Sequence, residues 1–117
     1  MKVEDLKSLC LGLPGTVEDL KWGNDLCFCV GSKMYAVLSL DASARLSFKV
    51  DRELFDHLTQ LPEVVPAPYL ARYHWICLES LDALAEEQIA GLVKNSYQMI
   101  HDKLPKKIRQ KIADSAE

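Results

Sequence analysis

The chain has 117 residues, enough for one domain with a single hydrophobic core. Its apolar fraction of 49% and charged fraction of 26% are those of an ordinary globular protein, which excludes a disordered or fibrous chain. A net charge of −3 and a pI near 5.6 weigh against strong nonspecific binding to nucleic acid.

The sequence also favours a reducing compartment and no membrane attachment. No apolar stretch approaches the ~18 residues that a membrane span requires, and charged residues open the chain in place of an export signal. None of the four cysteines has the two-residue spacing of zinc or redox sites, which indicates buried, reduced thiols. We therefore expect a soluble, cytoplasmic monomer without a cofactor.

The first predicted elements are a helix and a hairpin. Residues 2–11 form the helix, because apolar residues recur at three- and four-residue steps: Val3, Leu6, Leu9 and Cys10. Leu13-Pro14-Gly15 ends it. Alternating residues then predict a strand over 25–30, a tight turn at Gly31-Ser32-Lys33 and a second strand over 34–40.

A third strand and a second helix follow. A turn at residues 41–44 leads to a strand over 45–50, whose apolar and polar residues alternate. Asp51 is a suitable N-cap for a helix that continues to Leu61 and ends at Pro62. The three prolines between 62 and 68 predict an extended segment over the surface.

The last predicted elements are a strand over 74–78 and a long helix. The helix begins near Leu81 or Asp82, ends at Leu104 before Pro105, and has one apolar stripe. Helices and strands joined in this order by short connections indicate an α+β fold with two layers, an antiparallel β-sheet backed by helices. We expect one domain over residues 1–117, with 106–117 as a basic C-terminal tail.

Several short motifs occur in an order that resembles the MmcQ/YjbR family. They cover nearly the whole chain: Leu13-Pro14-Gly15, Lys21-Trp22-Gly23, Leu26-Cys27-Phe28, Gly31-Ser32-Lys33, Phe48-Lys49-Val50, Pro66-Ala67-Pro68-Tyr69, Trp75, Ser96-Tyr97 and Leu104-Pro105-Lys106-Lys107. The resemblance implies an α+β fold of the double-wing type, with two projecting hairpins and a role in binding DNA. Two positions depart from the family pattern, Glu63 in place of glycine and Cys29 in place of a polar or basic residue.

Basic residues are the candidates for contact with double-stranded DNA. Their charges would meet phosphates, and an exposed tryptophan could stack on a base. The candidates are Lys21, Trp22, Lys33, Arg45, Lys49, Lys106 and Lys107. The alternative interpretation for the strand residues is that they form the solvated face of a sheet, and we favour it. The alternative for the tail residues is that they are cations that suit the end of a helix.

An aromatic segment is the candidate surface for a protein or small-ligand partner. It spans residues 66–75 and includes Tyr69, Arg72 and Trp75, and Trp22 and Tyr97 could join it. A proline-braced connection pinned to the core by its aromatics is the alternative, and we favour it.

Catalytic and metal chemistry find little support in the sequence. Cys27 and Cys29 share one strand face and could bind a soft metal with His74 or Cys77, but packed thiols are the more common arrangement. No histidine adjoins a nucleophile motif, and no glycine-rich loop joins a strand to a helix. The sequence therefore predicts a binding protein rather than an enzyme.

Overall fold

The computed structural model describes residues 1–41 and 43–115. Its elements are four α-helices, six strands and one short 3₁₀ helix at Ala71–Tyr73: α1 Val3–Leu11, β1 Thr16–Lys21, β2 Asp25–Val30, β3 Lys33–Ser39, β4 Leu46–Lys49, α2 Arg52–Leu58, β5 Val64–Pro66, β6 Trp75–Leu78, α3 Glu86–Asp102 and α4 Lys106–Ser115. The predicted turn at 41–44 includes Ala42, and the predicted tail includes 116–117; these residues lie outside the described ones. No described helix is long and apolar enough to cross a membrane.

The six strands form one antiparallel sheet in the order β1-β2-β3-β4-β6-β5. The α+β prediction, an antiparallel sheet backed by helices, is confirmed. The β2–β3 hairpin also forms at its predicted turn, where Gly31 and Ser32 have φ angles of +56° and +68°. Two successive residues at positive φ match the right-handed twist of the strands, which explains the tight turn.

Both edge strands were missed by the sequence analysis. β1 is exposed along nearly its whole length, so its residues do not alternate between apolar and polar. β5 lies inside the proline-rich segment that was predicted to cross the surface, and it pairs with β6. Pro66 is compatible with this position because an edge strand leaves one row of N–H groups without a sheet partner.

The helices differ from the predictions at their ends. α2 ends at Leu58 rather than Leu61, and α3 begins at Glu86 rather than near Leu81. At the start of α3 the Ala85 N–H donates to Gln88 Oε1 (3.4 Å), and the acidic residues of the first turn suit the positive end of the helix dipole. Leu81 is buried in the loop before this helix.

Over residues 106–115 the predicted basic tail is the helix α4. Ile108 and Ile112 of α4 pack against the main core. A Cβ added to Gly31 would lie 2.6 Å from Leu104, and one added to Gly15 would lie 3.0 Å from Ile112. The two glycines therefore let α4 and the chain before it lie directly on the turns of the sheet.

The main core lies between one face of the sheet and helices α1 and α3. Ser96 of α3 is fully buried at the end of the β3–β4 ladder, where its hydroxyl donates to Tyr35 O (2.7 Å) and accepts from Lys49 N–H (3.0 Å). The β2–β3 register shifts beside Tyr35, and Ser96 joins β3 to β4 at the level where the β3–β4 pairing has ended. The opposite face of the sheet carries the candidate site.

Candidate functional site

A groove of about 530 Å³ lies on the face of the sheet that α1 and α3 leave uncovered. The antiparallel register places Val37, Ser47 and Cys77 in one row across β3, β4 and β6. These side chains form the floor together with Met34. Leu70 closes part of the groove, because it packs with Met34 and Val37 against the small cluster of Ala67, Trp75 and Cys77.

Two aromatic residues, Trp22 and Tyr69, line this groove and point largely into solvent. Their exposed fractions are 73% and 99%. Trp22 follows β1 in the turn to β2 and has φ +52°. Tyr69 has φ +67° in a turn where Leu70 N–H donates to Ala67 O (3.2 Å).

The backbone at Trp22 and Tyr69 is left-handed, a conformation that costs a residue other than glycine about 1–2 kcal/mol. The turn position of Tyr69 ordinarily favours glycine or asparagine. Neither ring recovers that energy by burial, because both are exposed. Strained residues that contribute little to the core are typical of functional sites.

The charged groups near the groove are mostly paired. Arg45 Nη2 lies 3.7 Å from Asp41 Oδ2, and Lys21 Nζ lies 4.0 Å from Asp19 Oδ2 and 6.0 Å from the centre of the Trp22 ring. Hydrogen bonds from the Ser39 side chain and from the Ser43 backbone, with the nearby Arg45 charge, lower the pKa of Asp41. Asp25 is half-buried in the groove wall.

The structure divides the predicted DNA-binding residues between two ends of the sheet. Trp22 and Arg45 line the groove, with Lys21 beside Trp22. Lys33 lies at the other end of β3, six residues from Ser39 or ~20 Å at the strand's rise per residue.

The helix α4 brings two more of these residues to the same end as Lys33. Leu104 and Ile108 contact the Gly31 turn, so Lys106 and Lys107 lie beside it. Lys33 and Arg45 therefore do not form one continuous basic strip.

Lys49, the remaining basic candidate, is tied to the protein itself. Its ammonium donates to the backbone carbonyl of Tyr73. Burial, followed by the nearby Lys103 charge, lowers its pKa. Its backbone N–H is held by Ser96, so this residue helps to join the sheet to α3.

Of the predicted aromatic surface, Trp22 and Tyr69 line the groove, together with Ala67, Pro68 and Leu70, whereas Arg72, Trp75 and Tyr97 are not among its lining residues. Arg72 lies over the ring of Tyr73, 4.8 Å from its centre. Trp75 and Tyr97 are about 95% buried, and the Tyr97 hydroxyl donates to Pro14 O (2.5 Å). These two residues therefore belong to the core, as the structural alternative predicted.

Cysteines and histidines do not assemble a reactive centre within the described residues. No group of three or more His, Cys, Asp or Glu side chains there is arranged to hold a metal. Burial raises the pKa of Cys10 to about 11, and burial together with the neighbouring Cys29 raises that of Cys27 to about 11. Both thiols stay protonated at neutral pH and are poor nucleophiles.

The comparisons with known proteins agree with this fold. The YjbR family model matches residues 11–99, a range that contains every groove residue named above. A crystal structure of a Deinococcus radiodurans protein with a DUF419 domain is similar, with a TM-score of 0.86 and 29% identity over 96% of this chain and 88% of that one.

A second solved structure, of a Pseudomonas syringae protein, has a TM-score of 0.71 and 22% identity over 86% of this chain and 99% of that one. At this identity the likeness shows the fold alone. Among curated proteins none matches the chain.

Proposed function

The chain belongs to the YjbR family, and we propose that it is a non-enzymatic binding protein that holds a small ligand in the groove on the uncovered face of its sheet. The observation that carries the proposal is the pair of exposed, left-handed aromatics, Trp22 and Tyr69, that line this one groove. The groove volume falls in the range of small-molecule sites, about 300–1,000 Å³. Its apolar floor and few polar groups are the usual composition of such sites.

The two tryptophans allow a direct test. Trp22 lines the groove, whereas Trp75 is 5% exposed and belongs to the cluster beneath the groove, so their indole N–H signals in a ¹H–¹⁵N spectrum distinguish contact with the rim from a change in the layer below. Titration with a set of soluble aromatic fragments should shift the Trp22 signal saturably and the Trp75 signal much less. Tyr69→Ala should weaken every fragment that binds.

A matched control uses an exposed tyrosine outside the groove. Tyr73 is 49% exposed and does not line the groove, so Tyr73→Ala should leave the titration unchanged. Equal binding by the Tyr69 and Tyr73 variants, or no saturable shift with any fragment, would contradict the proposal.

Double-stranded DNA is a second candidate ligand, favoured by one observation. Docking of α4 on the Gly31 turn gathers exposed lysines at one end of the molecule: Lys33, Lys103, Lys106, Lys107 and Lys111. Such a group suits phosphates, and the family resemblance implies the same partner.

The DNA candidate predicts a measurable salt dependence. Duplex retention at about 50 mM salt and micromolar protein should weaken as salt rises. Replacing Lys106 and Lys107 by Gln should lower the logarithmic salt slope by up to about two. Lys94→Gln, which removes one exposed lysine charge on α3 outside this group, is the control and should leave the slope nearly unchanged. No retention at about 50 mM salt would remove this candidate.

We also propose that the protein acts as a monomer. The β1 edge carries Glu18 and Asp19, and acidic side chains on an exposed edge oppose pairing with a second copy. Light scattering at increasing concentration should give a constant mass near 13.2 kDa.

A further inference from the structure

We propose that the ligand of the groove is a small organic cation, an alkylated ammonium with an apolar body, whose charge lies against Trp22 and Tyr69 and is balanced by Asp25. This inference rests on the proposed function of the groove as a ligand site. It adds the chemical class of the ligand, which follows from the charges, the aromatic rings and the shape of the groove.

The first argument is the balance of charge. Among the described residues, the charged side chains that line the groove are Asp25 and Arg45. Arg45 is paired with Asp41, and Lys21, which lies beside Trp22, is paired with Asp19. Within residues 1–41 and 43–115, the Asp25 carboxylate takes part in none of the ion pairs. It therefore remains as a half-buried negative charge in the groove wall.

The second argument is the chemistry of the two rings. The faces of tryptophan and tyrosine carry negative electrostatic potential and attract cations that approach within about 6 Å of the ring centre. The Trp22 ring already has this role within the chain, because the Lys21 ammonium lies 6.0 Å from its centre. An alkylated ammonium is less strongly hydrated than lysine and gains more from such a contact.

The third argument is size and polarity. A groove of about 530 Å³ is much larger than one ammonium head group, so the ligand needs further atoms to fill it. Met34, Val37 and Leu70 present apolar surface to those atoms. The expected ligand thus combines a cationic head with an apolar or aromatic body.

Arg45 allows a test of the sign of the ligand's charge. Its guanidinium lines the groove and would repel a cation, although Asp41 offsets much of its charge. Removal of Asp25 should therefore weaken a cationic ligand, whereas removal of the Arg45 charge should strengthen it. An anionic ligand would respond in the opposite direction to both changes.

The experiment uses three probes that share one ring and differ in charge: benzyltrimethylammonium, benzyl alcohol and benzoate. Each is titrated into the protein while the Trp22 and Trp75 indole signals are followed. We expect benzyltrimethylammonium to bind most tightly. Trp22→Gly removes the reporting indole, so its affinity is measured by calorimetry beside that of the wild type, and it should be weaker by about twofold to thirtyfold, the range of a cation–π contact.

Charge variants complete the test. Asp25→Asn should weaken benzyltrimethylammonium by about twofold to fivefold, as expected for a partly exposed ion pair. Arg45→Gln should tighten it. Asp56→Asn, which changes the same charge at an exposed position on α2, should have no effect.

The outcomes separate the two proposals. If benzoate or benzyl alcohol shifts Trp22 with equal or higher affinity, or if Arg45→Gln weakens the cation, the ligand class is wrong while the groove remains a binding site. If none of the three probes shifts Trp22 saturably, both the ligand class and the proposed function of the groove are contradicted.

Discussion

Replacement of Tyr69 by asparagine should make the protein more stable while it removes part of the binding site. Tyr69 has φ +67° and is 99% exposed, so its side chain contributes almost no burial to the folded state. The left-handed backbone costs an ordinary residue about 1–2 kcal/mol, and asparagine adopts it more readily. Without a contact to lose, Tyr69→Asn should raise the free energy of unfolding by about 1 kcal/mol.

Tyr69→Ala separates the backbone effect from the ring. Alanine also removes the aromatic side chain but keeps the unfavourable left-handed conformation, so its stability should stay within about 0.5 kcal/mol of the wild type. Both variants should bind the groove fragments more weakly. Comparison of the two variants therefore separates the effect of Tyr69 on stability from its effect on binding.

Urea unfolding followed by circular dichroism measures the stability of all three proteins. A gain of about 1 kcal/mol corresponds to a rise of about 4 °C in Tm for a domain of this size. The reasoning fails if Tyr69→Asn lowers the stability by more than about 0.5 kcal/mol, because the ring would then make a stabilising contact that its exposure does not show.

Three further predictions concern the scaffold. Ser96→Ala should lower the free energy of unfolding by about 2–4 kcal/mol, because it leaves the Lys49 N–H and the Tyr35 carbonyl without their shared partner. A loss below about 1 kcal/mol in urea unfolding would contradict this prediction. Gly31→Ala should lower the free energy of unfolding by about 2–4 kcal/mol in the same assay, because the added Cβ lies 2.6 Å from Leu104. Gly23→Ala has open space around it and should lower the free energy of unfolding by only about 1 kcal/mol. Equal losses would refute the docking of Leu104 on this turn. Stability should also fall at alkaline pH. Burial raises the pKa of Cys10 from its ordinary value of 9.0 to about 11, so the folded state keeps a proton that the unfolded chain releases. The neutral Cys10 thiol contributes about 2–3 kcal/mol to the free energy of unfolding below about pH 9, and this contribution disappears by about pH 11. In Cys10→Ala the free energy of unfolding should depend less steeply on pH in this window. An unchanged slope would contradict the role of Cys10.

The elements that could be predicted from the sequence are those in which buried and exposed residues alternate at a regular spacing. β4 has one covered and one open face, so its alternation was visible in the sequence. The Asp51 cap was equally visible, and its side chain accepts from Leu54 N–H at 2.8 Å. β1 lacks a covered face, and therefore its sequence carries no periodic signal.

The helix α4 shows a different limit of sequence analysis. Residues 106–117 were predicted as a basic C-terminal tail with no helix assigned, although Ile108 and Ile112 form an apolar side. What orders it is a surface made elsewhere, the bare backbone at Gly15 and Gly31. A sequence pattern within residues 106–115 cannot reveal a docking surface that two distant turns provide.

The candidate site could be predicted only in part. Trp22 was predicted both to contact DNA and to join Tyr69 on an aromatic surface, but Trp75 and Tyr97, which were predicted for the same surface, are buried. The antiparallel order of the sheet brings Trp22 and Tyr69 to one groove across Val37 and Cys77. The left-handed backbone that makes them unusual depends on φ, which neither residue type indicates.

The same two residues explain why binding is favoured over a purely structural role for this face of the sheet. Glycine or asparagine is the usual residue at a left-handed position, and the chain carries glycine at Gly23 and Gly31, although Ser32, Ala44, Glu63 and His74 also have positive φ. At Trp22 and Tyr69 it carries large aromatic rings that add strain and lie in solvent. Because the folded state gains little from either ring, the two rings support the proposal that this face binds a ligand, and the half-buried Asp25 in the same groove is the reason for proposing a positively charged one.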